Sequence, residues 1–96
     1  MIEYLDKAIR AVAGQDINVT ARLTTDEGDL IKESCGLMFH GENDEIKMYG
    51  GVYFSDTELW QFTIPAEDTK GLRGRYWYCI CKDGINLCFK QPLYLL

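Results

Sequence analysis

The sequence is short of the groups that most enzyme sites need. It holds a single histidine, His40, no serine in a strand-to-helix elbow, and no glycine-rich loop of the kind that cradles phosphate. It has only two prolines, Pro65 and Pro92, and no apolar run that approaches membrane-spanning length. Glu3, Asp6, Lys7 and Arg10 interrupt the start of the chain, so it lacks the cationic-then-apolar pattern of a secretory signal. The expected setting is a soluble one, cytoplasmic on synthesis, in which the four cysteines stay reduced. Cations are also scarce: 10 Lys and Arg face 15 Asp and Glu, for a net charge of -5. Such a field repels phosphate backbones and anionic lipid, which argues against nucleic acid and membrane as partners.

What is present is the composition of one folded domain. A hydrophobic content of 47% with 12% aromatics in 96 residues supports a single core and excludes a disordered tail. The densest stretch, from Gly74 to Lys90, predicts a β-hairpin turning at Asp83-Gly84. A two-residue loop pairs Lys82 with Ile85, Cys81 with Asn86, Ile80 with Leu87, Cys79 with Cys88, Tyr78 with Phe89 and Trp77 with Lys90. One face then carries Tyr76, Tyr78, Ile80, Ile85, Leu87 and Phe89, a core. The other carries Trp77, Cys79, Cys81, Asn86, Cys88 and Lys90, less polar than a solvent face should be, which implies a cover.

Upstream, Ile2, Leu5, Ile9 and Val12 recur at spacings of three and four, and Gly14 follows, which predicts a short amphipathic helix docked on its own domain or on another chain. Ile17 to Leu23, Cys35 to His40 and Leu59 to Ile64 alternate as half-buried strands. Glu45 to Tyr49 is a weaker strand, broken by Gly50-Gly51, where a bulge or sharp bend lets Val52 to Phe54 continue. Pro65 ends the Trp60 strand, and Ala66 to Gly71 is a polar crossing loop with room for one helical turn. Pro92 marks an edge or bulge before Leu93 to Leu96.

The candidate chemistry is thin. Cys79, Cys81 and Cys88 share the outer hairpin face, but Cys-x-Cys lacks the usual two-residue gap of a zinc site, so they read as small hydrophobes and no metal is expected. Cys79 and Cys88 face each other closely enough for a disulfide in an oxidising setting. His40 beside Glu42 and Asp44 reads as a solvated turn, and Cys35 and His40, five apart on a strand, point to opposite faces. The acidic turns Asp26-Glu27-Gly28-Asp29 and Glu42-Asn43-Asp44-Glu45 lack the ligand spacing of a calcium loop. Trp60 takes a core position, whereas Trp77 lies under the helix or a partner.

The run Leu72, Gly74, Tyr76, Tyr78 resembles the tyrosine corner of immunoglobulin-like sandwiches, in which a tyrosine hydroxyl bonds back to the crossing loop. Trp60 to Ile64, the polar loop, the corner and the Asp-Gly hairpin together resemble the immunoglobulin-like domain at the N-terminus of bacteriophage baseplate upper proteins and related prophage structural proteins. The likeness spans about residues 17 to 90. It implies a virion tail or baseplate module with no catalytic site and no cofactor.

The expected fold is all-β: an immunoglobulin-like antiparallel β-sandwich of about seven strands over 15–96, preceded by an amphipathic helix over 1–14. The expected function is a non-enzymatic structural or assembly module that becomes part of a virion. It would contact copies of itself, as a homo-oligomer, or other virion proteins through Ile2, Leu5, Ile9, Val12, Trp77 and Cys79, with Leu72, Gly74 and Tyr76 structural. The alternative is a small-ligand or glycan-binding domain using Tyr49, Tyr53 and Trp77.

Overall fold

The computed structural model describes residues 2–4, 9–83, 85–87 and 90–96. Among them run nine strands: β1 (Ile2–Tyr4), β2 (Ile9–Ala11), β3 (Ile17–Leu23), β4 (Cys35–His40), β5 (Ile46–Phe54), β6 (Leu59–Ile64), β7 (Gly74–Lys82), β8 (Ile85–Asn86) and β9 (Gln91–Leu95). One four-residue helix, α1 (Ala66–Thr69), sits in the crossing between β6 and β7. Hydrogen-bonded neighbours follow the order β1-β3-β6-β5-β4-β7-β9-β2, with β8 added to β7. The chain is thus mostly β, in a mixed sheet that curls around one core nearly as a barrel does.

The core follows from alternation. Ile17, Val19, Ala21 and Leu23 of β3 point inward, and so do Cys35, Leu37 and Phe39 of β4 and Trp60, Phe62 and Ile64 of β6. Tyr78, Ile80, Leu93 and Leu95 close it from β7 and β9. Each fully buried Leu, Ile, Val or Phe contributes about 1.5–3 kcal/mol, so these strands carry most of the driving force. The Trp60 indole N–H donates to the Ile31 carbonyl at 2.6 Å, which ties the loop between β3 and β4 to that core.

Strand β5 joins the two halves of the sheet. It pairs with β4 from Ile46 to Gly50 and with β6 from Gly51 to Phe54, so the partner changes at the double glycine. Glycine is needed at position 51 on steric grounds: a Cβ there would lie 2.4 Å from Phe62 Cε1 and 2.8 Å from Trp60 Cε3. After β6, Pro65 stops the ladder and α1 turns the chain. Thr69 is fully buried, and its hydroxyl accepts the Gly14 N–H at 3.0 Å and donates to the Ala66 carbonyl.

Three expectations need correction. The helix predicted over 1–14 is replaced by strands at Ile2–Tyr4 and Ile9–Ala11, which lie at opposite ends of the strand order. Three turns of helix are marginal alone, whereas β1 on β3 and β2 on β9 satisfy backbone groups of strands that would otherwise be edges. The sheet is not purely antiparallel, because β2 runs parallel to β9. Finally, the hairpin pairs Lys82 with Ile85 and Cys81 with Asn86 as expected, but farther along Tyr78 faces Gln91 and Trp77 faces Pro92, a step of two residues. A two-residue step keeps inward positions inward, which is why Leu93 and Leu95 still reach the core. Tyr78 and Trp77 therefore do not pair with Phe89 and Lys90 as expected. Cys88 lies outside the described residues, and with it the expected Cys79/Cys88 pair.

Candidate functional site

Outward positions of the sheet differ sharply between its two halves. On β3 and β6 they are Asn18, Thr20, Arg22, Gln61 and Thr63, and Thr63 donates to Asn18 at 2.8 Å across the strands. That is an ordinary solvent face. On β5 the outward positions are Ile46, Met48, Gly50, Val52 and Phe54, and the four large side chains are 52%, 52%, 59% and 43% exposed. Four exposed apolar residues at every second or fourth position of one strand form a stripe, not a scatter.

Register carries that face onward. Ile46 lies opposite His40, which lies opposite Trp77, which lies opposite Pro92. One row further, Met48 faces Met38 and Met38 faces Cys79; beyond it Gly50, Gly36 and Cys81 align. The His40 ring packs its Nε2 3.2 Å from Met38 Sδ. Two glycines side by side leave bare backbone, and an open depression of about 300 Å³ lies there, lined by Met48, Cys81, Ser34 and Asp83 among others.

At the other end of the same face, Tyr94 of β9 lies between Arg10 of β2 and Arg75 of β7. The Arg75 guanidinium sits 4.3 Å over the Trp77 ring and 5.9 Å from Tyr94, and Arg10 sits 5.7 Å from Tyr94. Cation and aromatic therefore alternate across three strands, an arrangement that stabilises each guanidinium by about 0.5–1 kcal/mol at an exposed site. A recess of about 410 Å³ beside it is lined by His40, Glu42, Arg75, Tyr76, Trp77 and Lys90 among others.

A third cluster is structural. Tyr49 points inward; its hydroxyl donates to Asp68 at 2.7 Å, and Lys47 Nζ lies 3.2 Å from the same carboxylate. Burial, then the hydrogen bond to Asp68, pushes the Tyr49 phenol well above its ordinary range. The Tyr49 hydrogen bond, aided by Lys47, holds the Asp68 carboxyl below the usual carboxylate range. Burial pushes the Cys35 thiol up, which keeps it protonated and a poor nucleophile. Among the described residues no three His, Cys, Asp or Glu side chains converge as metal ligands, and no helix is long and apolar enough to cross a membrane.

The expected contact residues that the structure describes lie in different parts of the fold. Ile2 pairs with Leu23 at one end of the strand order, whereas Ile9 turns inward at the other end and packs on the core. Val12 is 49% exposed, Leu5 lies outside the described residues, and Trp77 is half-buried beneath Arg75. Cys79 is 1% exposed and so presents no thiol to a partner; β7 is buried on both faces through its middle. Tyr49 and Tyr53, candidates for a glycan platform, also pack against the core. The residues that sequence reasoning missed are Ile46, Met48, Val52 and Phe54. Their alternation is visible in the sequence, but the polar turn before them and the double glycine between them mask which phase faces out.

The leucine, glycine and tyrosine of the crossing are arranged locally. Gly74 has a φ of +104°, Leu72 packs against the core, and Tyr76 Oη donates to the Arg73 carbonyl at 3.2 Å. The chain matches no family model and no curated protein sequence.

Proposed function

We propose that this chain is a non-enzymatic assembly module that works through protein–protein contacts on the outward face of β5. The observation that carries this reading is the stripe Ile46, Met48, Val52 and Phe54, exposed on a strand whose neighbouring half-sheet is polar.

The finer reading is an immunoglobulin-like sandwich serving a virion tail or baseplate, cytoplasmic on synthesis and virion-associated after assembly. In its favour, β1, β3, β6 and the second half of β5 follow one another on one side. On the other side β2, β9, β7, β4 and the first half of β5 do so. The Tyr76 hydroxyl bonded back to the crossing loop favours it too. The glycan-binding reading has less support, because Tyr49 and Tyr53 point inward and Arg75 covers a face of Trp77.

The test is absolute mass by light scattering over a range of concentrations, with reductant, on the wild-type chain and on the double variant Met48→Lys, Val52→Lys. Both residues are exposed, so the variant should fold. The expected result is an oligomer that the variant loses. A wild-type chain that stays monomeric and as soluble as the variant at millimolar concentration would overturn the proposal.

A further inference from the structure

We infer that copies of this chain bind head to tail, the Arg10–Tyr94–Arg75–Trp77 ladder of one copy taking the carboxylates of the Asp26-Glu27-Gly28-Asp29 turn of the next. The inference rests on the assembly reading and names its partner as a second copy of this chain.

The ladder is a pre-set carboxylate receptor. Arg75 lies 4.3 Å over the Trp77 ring, and Arg10 and Arg75 flank Tyr94 at 5.7 and 5.9 Å; attraction to a ring uses the cationic charge and leaves the guanidinium N–H groups to pair with an acid. Among the described residues the ion pairs join Lys47 to Glu45 and Asp68, and Lys82 to Asp83; neither Arg10 nor Arg75 has a carboxylate partner. Lys90 lines the recess beside Arg75 and adds donors, while Glu42 is the one acid among its described lining residues.

The turn is the matching projection. Residues 25 to 29 are all exposed, and Asp26, Glu27 and Asp29 enter none of those ion pairs. Its shape is fixed: Thr25 N donates to the Asp29 carbonyl at 2.7 Å, Gly28 N to the Thr25 carbonyl at 2.9 Å, and Asp29 N to Thr25 Oγ1 at 3.2 Å. Three carboxylates on a rigid tip bind with little ordering cost.

Topology separates the two. The Ile31 N–H bonds the Leu23 carbonyl, which places the turn at the end of the molecule where Cys35 meets Lys82. The ladder lies toward the opposite end, where Arg75 meets Tyr94 and Gly74 meets Leu95. With the turn held by its own hydrogen bonds at one end of the strands and the ladder at the other, the turn does not meet its own ladder, so the contact is between copies. Two different surfaces meet, and such a heterologous contact repeats from copy to copy. With a net charge of -5, a copy approaching the cationic ladder is steered by its acidic end, and a polyphosphate is repelled by the rest of the molecule.

The experiment is sedimentation or light scattering of three full-length proteins: wild type, the ladder variant Arg10→Gln, Arg75→Gln, and the turn variant Asp26→Asn, Glu27→Gln, Asp29→Asn. All substituted side chains are exposed, and thermal melts verify folding. The wild-type average mass should climb past dimer with concentration and fall in high salt. Each variant alone should be monomeric, and an equimolar mixture should form a 1:1 dimer and stop, since only one complementary pair remains. Association that survives both charge variants and high salt but is lost in Met48→Lys, Val52→Lys would overturn this pairing and leave the assembly reading standing. A monomeric wild type, or a mixture that forms no dimer, would also overturn it. Acetate or inorganic phosphate that dissociates the wild type without binding the turn variant any differently supports the ladder as the receptor.

Discussion

Replacing Gly51 with alanine and replacing Gly50 with alanine should have opposite effects, although the two residues are adjacent on β5. Neither has a positive φ, so backbone strain does not separate them. Space does. A Cβ at position 51 would lie 2.4 and 2.7 Å from Phe62 ring atoms and 2.8 Å from Trp60 Cε3, whereas one at position 50 would meet nothing within 4 Å. Phe62 and Trp60 are 0% and 4% exposed and stack on each other at 5.9 Å with planes 10° apart, so neither ring can swing away alone. Overpacking of this kind costs about 1–3 kcal/mol, which outweighs the roughly 0.4–1 kcal/mol gained by restricting the unfolded chain. For a chain of this size 1 kcal/mol moves Tm by about 4–8 °C. Gly51→Ala should therefore lower Tm by on the order of 10 °C, and Gly50→Ala should leave it unchanged or raise it by a few degrees, about 0.5 kcal/mol. Thermal denaturation followed by circular dichroism reads both. A Gly51→Ala protein as stable as wild type would refute the packing account of Gly51; equal losses at both positions would mean that β5 needs flexible backbone there.

Other interactions make equally specific predictions. Thr69→Val strands the Gly14 N–H and should cost about 1–3 kcal/mol, whereas Thr69→Ser keeps the hydroxyl and should cost less than about 1 kcal/mol, both read from chemical denaturation. Tyr76→Phe removes the exposed bond to the Arg73 carbonyl and should cost about 0.5–1.5 kcal/mol in the same assay. Tyr49→Phe should flatten the pH dependence of stability at both ends. Asp68 has a lowered pKa in the fold, so its contribution is present above the unfolded value near 3.9 and is lost as pH falls through the lower folded value. Tyr49 has a raised one, so its contribution is present below the unfolded value near 10 and is lost as pH rises beyond that. A wild-type profile with the same acid and alkaline limbs as the variant's would refute the coupling.

The strands that build the core were legible because their signals are local. Ile17 to Leu23 and Trp60 to Ile64 alternate cleanly, and alternation over six or seven residues has one reading. The Asp-Gly turn was legible too: Asp83 takes a φ of +52°, as a two-residue hairpin loop requires. The N-terminal segment was not. Four apolar residues at spacings of three and four fit a helix stripe, yet Ile9 and Ala11 also alternate around Arg10, and the partner that decides the matter, Leu93 to Leu95, lies at the other end of the chain. Non-local backbone pairing of that kind leaves no trace in local periodicity. The same holds for Cys79, which is 1% exposed at an outward position, and for Arg10, Tyr94 and Arg75, which are adjacent only through the parallel β2–β9 and antiparallel β7–β9 pairs.

The parallel pair also explains why the outward face divides as it does. Without β2, Tyr94 would flank a bare strand edge, and Arg75 would stack on Trp77 with no second guanidinium nearby. Adding three residues of β2 both covers that edge and delivers Arg10 to the far side of Tyr94. One end of the face is thereby cationic and aromatic, while the β5 side, two strands beyond β7, stays apolar. Polar pairing at one end fixes orientation and depends on salt, and apolar burial along β5 adds contact area without direction. If both contacts form between copies, the rotation that relates them sets the outcome. A rotation that closes on itself gives a ring of fixed mass, and one that does not gives a fibre whose mass grows with concentration. The sedimentation profile of the wild-type chain distinguishes these directly. A plateau at one mass means that ladder and stripe geometries close a ring, whereas continuous growth that Met48→Lys, Val52→Lys only slows means that the ladder alone propagates the chain of copies.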